Sequence, residues 1–384
     1  MDELKCTALA LNEDETAHAL IYSRMGRGAA LLGGDAYPMQ KNINAADWAA
    51  RDTLQLVLGD ETAEVFGQKD GSFPAALDAL LYARWQAKKP GLIVLSCAAA
   101  EHNAQHLLEA AIACAVARHA QPGYLRYLVS DNAFCATLSD CAEWLIEADE
   151  KTAARLPLPK SDAVRCVPDL SPYALRRTRM LGGAVAMAAV CACLAGVETL
   201  GEAFKDEDIR TLLGKALTEE MPPDAGFSRT ENLQYAVQVC SYLENACAGE
   251  KWPEMGENLL ARYVRAILPA MTEYEQKSAA PPRRLAFAVS ALLYSGVRPD
   301  DKGVYTLAGK DGSMPVLDRA EALRAFSRLS CDMPCEALAY AALSDCEIWG
   351  CDLREIEGLE ELATEQLRDM QLLGVCEAMR KASK

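Results

Sequence analysis

Four histidines, His18, His102, His106 and His119, are all the imidazole this 384-residue chain has, and none lies beyond residue 119. Histidine acid–base chemistry is therefore confined to the first third of the chain. His102 and His106 stand four apart on an expected helix, so they share a face, as a metal pair requires. The segment reads His102-Asn103-Ala104-Gln105-His106, without the glutamate base of H-E-x-x-H. Solvent-facing histidines are the expectation. Cys331, Cys335, Cys346 and Cys351 give C-x3-C and C-x4-C pairs within the loose range for structural zinc. Both pairs lie in or beside expected helices, which favours thiols without metal. Gly26-Arg27-Gly28-Ala29-Ala30-Leu31 comes nearest to a dinucleotide fingerprint, but Leu31 replaces the third glycine and Gly33-Gly34 interrupts the helix that should come next. A loop or hairpin is the simpler reading.

The elements that must position any site change character part-way along the chain. Residues 19–23, 54–58 and 92–97 are short apolar runs of strand type, and 163–167 adds another. Residues 73–89 and 101–119 carry apolar side chains at helical spacing, among them Leu77, Leu80, Leu81, Leu107, Leu108, Ala111 and Ala115. Strands alternating with helices predict a parallel α/β sheet. After Pro168 strand-like runs largely vanish. Helices are expected over 172–195, 206–220, 228–246, 252–278, 282–295, 318–328, 335–345 and 353–381, with turns at 222–224, 281–282, 296–303 and 309–315. In the last helix Leu359, Ala363, Leu367, Met370 and Gly374 form one apolar face. The predicted domains are 1–168, α/β, and 169–384, all-α.

Net charge of −16 argues against nucleic acid and an anionic membrane surface as partners. The acidic first residues do not read as a signal peptide. Fifteen scattered cysteines then read as reduced thiols in a cytoplasmic protein. Residues 171–197 hold Arg176, Arg177 and Arg179, then run uncharged from Met180 to Val197. Ser171 and Pro172 suit a helix start. The uncharged run is rich in Ala, Gly, Val and Cys rather than Leu, Ile and Phe, so a packed core helix is expected and not a membrane span.

Several segments resemble one family. They are Phe73-Pro74-Ala75-Ala76-Leu77 before the strand Gly91-Leu92-Ile93-Val94-Leu95-Ser96-Cys97; Asn132-Ala133-Phe134-Cys135-Ala136-Thr137-Leu138 with Asp140; Val167-Pro168-Asp169-Leu170-Ser171-Pro172-Tyr173; Gly196-Val197-Glu198-Thr199-Leu200-Gly201-Glu202-Ala203; Glu219-Glu220; and Pro282-Arg283-Arg284-Leu285-Ala286-Phe287. Together they are similar to the polyol-specific long-chain dehydrogenases of the mannitol dehydrogenase group, above all its tagaturonate reductase (altronate oxidoreductase) branch. The resemblance implies a Rossmann-type domain followed by a helical domain, with the site between them. It also implies hydride exchange between NAD(H) and a keto sugar acid or polyol, without a metal. The first strand of the chain aligns with the family's second, so the Rossmann domain is expected to lack its first βα unit.

The family's site helix reads K-x-x-x-x-N-G-x-H. Aligned through Arg179, Leu181 and Gly183, its lysine, asparagine and histidine fall on Arg177, Gly182 and Val185. An arginine, with a pKa above about 12, does not exchange protons near neutrality. Glycine and valine bring neither an oxyanion donor nor a titratable group. Loss of acid–base help costs about 10²–10⁴-fold in rate and loss of an oxyanion donor about 10²–10³-fold. Other departures agree: Cys141 replaces an arginine, Ala98-Ala99-Ala100 replaces an acidic stretch, and 245–250 lacks a histidine. Matching polar positions that remain as pocket candidates are Asn103, Asn132, Asp140, Asn245 and Arg262, together with Arg177. The expectation is a catalytically degenerate homologue that holds a sugar acid or an active relative. The alternative is a divergent, active NAD(H)-dependent oxidoreductase.

Overall fold

Leu92-Ile93-Val94-Leu95 is apolar at every position, which suits a strand covered on both faces. In the computed structural model Ile93–Ser96 is that strand, β3, and it is buried throughout. The structure describes residues 7–10, 54–59, 73–97, 102–141, 143–156, 164–197, 199–245, 256–329 and 332–384. It divides into two units, Met1–Ala174 and Leu175–Lys384. Unit 1 is built on a six-stranded sheet in which chain order is spatial order. The strands are β1 Thr7–Ala10, β2 Leu54–Gly59, β3, β4 Ala133–Ser139, β5 Trp144–Glu147 and β6 Val164–Val167. Strands β1 to β4 are parallel, β4 and β5 form an antiparallel hairpin, and β6 is parallel to β5.

Helices α1 Phe73–Gln86, α2 Asn103–Ala117 and α3 Pro122–Ser130 bury one face of the sheet. Their Leu77, Leu81, Leu107, Ala111 and Tyr124 meet Val94 of β3. Ile93 and Leu95 point the other way, onto Cys135, Trp144 and Ile146. The short helix α4 Glu150–Arg155 comes after β5, capped by Asp149, whose side chain accepts from the Thr152 N–H. Asp78 ties the helices together: the Tyr124 hydroxyl donates to it at 2.7 Å and Arg118 pairs with it at 2.5 Å. At the entry to β3 a side chain on Gly91 would collide with the backbone of Asp131 and Asn132.

Unit 2 is largely helical. Helix α5, Ser171–Ala195, straddles the division and contains a π-helical turn, Arg177–Gly182. Helix α6 Glu207–Lys215 runs into a second π turn, Ala216–Glu220. Helix α7 is Arg229–Asn245, and residues 259–278 form α8 around a third π turn, Tyr263–Ile267. Helix α9 Arg283–Ser295 is the centre of the unit, with every residue but Arg283 and Tyr294 buried. Around it pack α5, α11 Cys335–Leu343, α13 Leu359–Leu373 and α14 Val375–Ala382. Two further helices, α10 Ala320–Ser327 and α12 Cys346–Trp349, pack on each other.

The structure alters several expectations. Residues 19–23 and the Gly26–Leu31 motif lie outside the described residues. The stretches 296–303 and 309–315, expected as turns, contribute to a three-stranded antiparallel sheet: β7 Val297–Pro299, β8 Tyr305–Ala308 and β9 Ser313–Pro315. The expected last helix is broken at Gly374, whose φ of 82° only glycine adopts readily. Its Leu359, Ala363, Leu367 and Met370 are buried as one face. Of helices long and apolar enough to cross a membrane, the described residues contain one, Ser171–Ala195, and 72% of its apolar window is buried within the protein. The twelve described cysteines are free thiols.

One polar cluster holds the start of α9. Pro282 precedes it and offers no side-chain cap. Glu220, its side chain wholly buried, accepts from the Arg284 N–H at 3.0 and 3.1 Å, the Leu285 N–H at 2.8 Å and Arg284 Nη1 at 3.0 Å. Burial lifts its carboxyl above the ordinary range, against the pull of these donors. Removing one partner of a buried pair leaves an uncompensated charge. Glu220→Ala is expected to lower the stability of unit 2 by about 3 kcal/mol, at the lower end of that range because Glu219 still pairs with Arg284 at 2.6 Å. Urea denaturation monitored by far-UV circular dichroism measures it.

Candidate functional site

In unit 1 the candidate polar groups gather at the carboxyl ends of β3 and β4, the edge where parallel α/β sheets place ligands. Asn103 opens α2 and donates through Nδ2 to the Thr137 carbonyl at 3.1 Å. Thr137 in turn donates its hydroxyl to the Ser96 carbonyl at 2.8 Å, lacing β4 to β3. Asp140 comes just after β4 and starts the hairpin turn. Its N–H donates to the Glu143 carbonyl at 2.9 Å, and its Oδ1 accepts from the Cys141 N–H at 2.8 Å. Asn132 lies elsewhere, before the amino end of β4. Its Oδ1 accepts from the Leu92 N–H at 2.8 Å, and its Nδ2 donates to the carbonyls of Tyr127 and Leu128. That amide closes α3 and steers the chain into β3.

The start of α5 is held by carboxylates. Asp169 accepts from the Ser171 N–H at 2.8 Å and Glu147 from the Leu170 N–H at 3.0 Å. Ser171 is the first helical residue, so the cap comes from Asp169, two positions earlier than expected.

In unit 2 the three arginines of α5 part company. Arg176 is buried, its guanidinium between the rings of Phe227 at 4.0 Å and Tyr235 at 4.1 Å. Such desolvated cation–π contacts contribute about 2 kcal/mol. Arg179 is also buried, 3.8 Å from Glu273, and burial pushes its guanidinium pKa down. Arg177 is exposed and, among the described residues, makes no ion pair. It opens the π turn that ends at Gly182, and this turn packs on the π turn Tyr263–Ile267, which comes directly after Arg262. Gly182 has ordinary helical dihedrals, φ −61° and ψ −42°. A Cβ there would lie 3.9 Å from the Arg177 carbonyl oxygen and meet no side chain within 4 Å. Val185 is half-buried one turn later. Asn245 ends α7, exposed, with Nδ2 donating to the Ser241 carbonyl at 2.8 Å. The structure therefore sets Arg177, Gly182, Val185 and Arg262 on packed elements of one unit. Arg176 and its aromatic clamp carry no signal in the sequence beyond the bare arginine cluster, because Phe227 and Tyr235 lie some fifty residues away.

No three His, Cys, Asp or Glu side chains among the described residues come together as metal ligands. His102 and His106 are both exposed, and of the four cysteines Cys335 is buried, Cys346 and Cys351 are exposed and Cys331 lies outside the described residues.

Residues 169–371, just over half of the chain, match the mannitol dehydrogenase C-terminal domain. This chain belongs to the mannitol dehydrogenase family. It is 29% identical to the altronate oxidoreductase of Klebsiella pneumoniae (strain 342) over 351 residues, 80% of this chain and 70% of that one. The altronate oxidoreductase of Bacillus subtilis (strain 168) is 24% identical over 406 residues, covering 94% of this chain and 80% of the relative. In fold it is similar to a substrate-free D-sorbitol dehydrogenase, with a TM-score of 0.64 at 14% identity over 87% of this chain and 76% of that one. It is also similar to the Pseudomonas fluorescens mannitol 2-dehydrogenase in ternary complex with NAD and D-mannitol, with a TM-score of 0.52 at 14% identity over 88% and 76%.

Two substitutions separate structural from site roles. Asn132→Ala takes the acceptor from the Leu92 N–H and a donor from the Leu128 carbonyl, while the Tyr127 carbonyl keeps the Asp131 N–H, and is expected to cost about 2 kcal/mol in chemical denaturation. Gly182→Asn places its Cβ in ordinary contact in a helical conformation, and its melting temperature is expected to match or slightly exceed that of the parent, since asparagine is the better helix former by a few tenths of a kcal/mol.

Proposed function

We propose that this chain is a mannitol dehydrogenase-family protein, of the altronate oxidoreductase type, that binds a sugar acid or an active relative without turning it over. The observation that carries the reading is the side-chain set at the i, i+5 and i+8 positions of the site helix. These are Arg177, Gly182 and Val185, where the family pattern holds a lysine, an asparagine and a histidine. Arg177 is a fixed cation on an exposed face, able to hold a carboxylate through a fork of N–H donors but unable to exchange a proton with it. The space at Gly182 is what remains when an oxyanion donor is removed and nothing moves in.

The family's cofactor fits this chain poorly. A dinucleotide pyrophosphate needs a glycine turn and a helix N-terminus after a strand of the parallel sheet. The nearest match in the sequence, Gly26-Arg27-Gly28-Ala29-Ala30-Leu31, has leucine in place of the third glycine. NAD(H) binding is accordingly expected to be weak or absent. A cytoplasmic setting goes with this reading.

Calorimetry with NADH, with and without tagaturonate, tests it. The expected result is tagaturonate or altronate binding that weakens on Arg177→Ala, with no NADH consumption. Micromolar NADH binding accompanied by turnover would overturn the proposal in favour of a divergent, active oxidoreductase. If cofactor does bind, the combined change Arg177→Lys, Gly182→Asn and Val185→His is expected to raise turnover by about 10²-fold or more. No gain in a variant that binds both ligands would show that the three positions are misassigned.

A further inference from the structure

Three helices of unit 2 run into one corner and stop there. Helices α5, α9 and α13 end at Gly196, Gly296 and Gly374, each with a positive φ, of 79°, 70° and 82°. A glycine in that conformation closes a helix and leaves no side chain behind it. The corner between the three ends holds a cavity of about 470 Å³, within the size range of small-molecule sites. Leu194, Tyr294, Lys310, Leu373, Val375 and Cys376 all line it. It shares α5 with the candidate site but lies about 25 Å along that helix from Arg177.

The walls are fixed by backbone. The Lys310 N–H donates to the Cys193 carbonyl at 3.1 Å, and a side chain on Gly309 would collide with Cys193, so the β8–β9 hairpin sits directly on the end of α5. The Ser295 hydroxyl donates to the Ala308 carbonyl and ties the end of α9 to the same hairpin. These bonds hold the cavity open in one shape, so a ligand need not order it on binding.

The lining offers three kinds of contact. Leu194, Leu373 and Val375 are apolar wall. The three helix ends bring carbonyls that have no partner within their own helices, at the negative pole of each helix dipole, which favours an ammonium group. Tyr294, which with Arg283 is all of α9 that is not buried, adds a ring that also suits a cation. Lys310 brings the opposite charge: it is exposed and, among the described residues, makes no ion pair. Helix α14 starts beside it at Val375 without a side-chain cap, so its first N–H groups favour the same sign of ligand charge as Lys310. A ligand with a single charge meets the wrong pole as well as the right one, whereas a zwitterion matches both. We propose that this cavity binds a free α-amino acid with an apolar side chain, its ammonium on the carbonyl ends of α5, α9 and α13 and its carboxylate at Lys310.

Native full-length protein is titrated with L-leucine by calorimetry. Cys376, an exposed thiol in the lining, reports occupancy through its rate of alkylation by iodoacetamide, read by mass spectrometry. Leucine is expected to bind and, at about ten times its dissociation constant, to slow alkylation of Cys376 about tenfold. The exposed Cys346 and Cys351 are expected to react at an unchanged rate. Isocaproate, which lacks the ammonium group, and isoamylamine, which lacks the carboxylate, are expected to give little protection. Lys310→Met removes the cation and Ala308→Phe fills the cavity, both from exposed positions, and each is expected to remove the leucine effect while the melting temperature stays near that of the parent. No protection by millimolar leucine, equal protection by isocaproate or isoamylamine, or protection that survives both substitutions would overturn the assignment.

Discussion

The start of α9 sets the terms for unit 2. A helix whose residues are almost all buried has its first N–H groups in the interior, where they need acceptors. Pro282 supplies none from its side chain, so the acceptor comes from another element. The π turn Ala216–Glu220 delivers the Glu220 carboxylate to the N–H groups of Arg284 and Leu285, where the helix dipole also favours negative charge. A second tie on α9 comes from Gln366, which accepts from the Ser290 hydroxyl at 2.9 Å and donates to the Arg283 carbonyl at 2.9 Å. Arg284 and Ser290 of this central helix thus find their partners on two different elements. Those bonds constrain how α6, α9 and α13 pack before any apolar contact is counted.

Helix α5 meets the same interior with the opposite chemistry. From Gly183 onward it has no polar side chain larger than a cysteine. Alanines and glycine let α9 and α8 approach closely, and burial pushes the Cys191 thiol up to about 12, which keeps it neutral. The charge is confined to the first turns, where each arginine has a different fate. Arg176 is absorbed by two aromatic rings and Arg179 by the interior near Glu273, which leaves Arg177 facing solvent. The same helix carries Gly182 and the half-buried Val185 beyond the exposed Arg177.

Much of this was legible in the residues where one signal dominated. Short runs of strand-type residues located β2, β3 and β6, and helical spacing located α1, α2, α5 and α9 to within a few residues. Legibility failed where local propensity and long-range pairing disagree. Strands β7 to β9 hide in glycine-rich, charged stretches because three residues of pairing, anchored by buried Val297, Leu307 and Met314, suffice once the sheet closes. The π turns leave no local signature, since a one-residue widening of a helix is set by what packs against it. The break at Gly374 was written in the sequence but masked by the apolar face that leads up to it. Residue types named the candidate positions, but only coordinates separate a polar group that serves the fold from one that faces outward.

That separation decides what chemistry is left. A polar side chain whose donors and acceptors are all engaged by backbone has little to give a ligand, however well its position matches a family motif. Asn132 is of this kind: its carbonyl and both directions of its amide are spent on Leu92, Tyr127 and Leu128. Asn245 spends its amide within its own helix. Arg177 is different, because its guanidinium is exposed and makes no ion pair among the described residues, so it can gain a charge-assisted bond there without breaking one. A guanidinium stays protonated near neutrality, so it can hold a carboxylate but cannot serve as its acid or base.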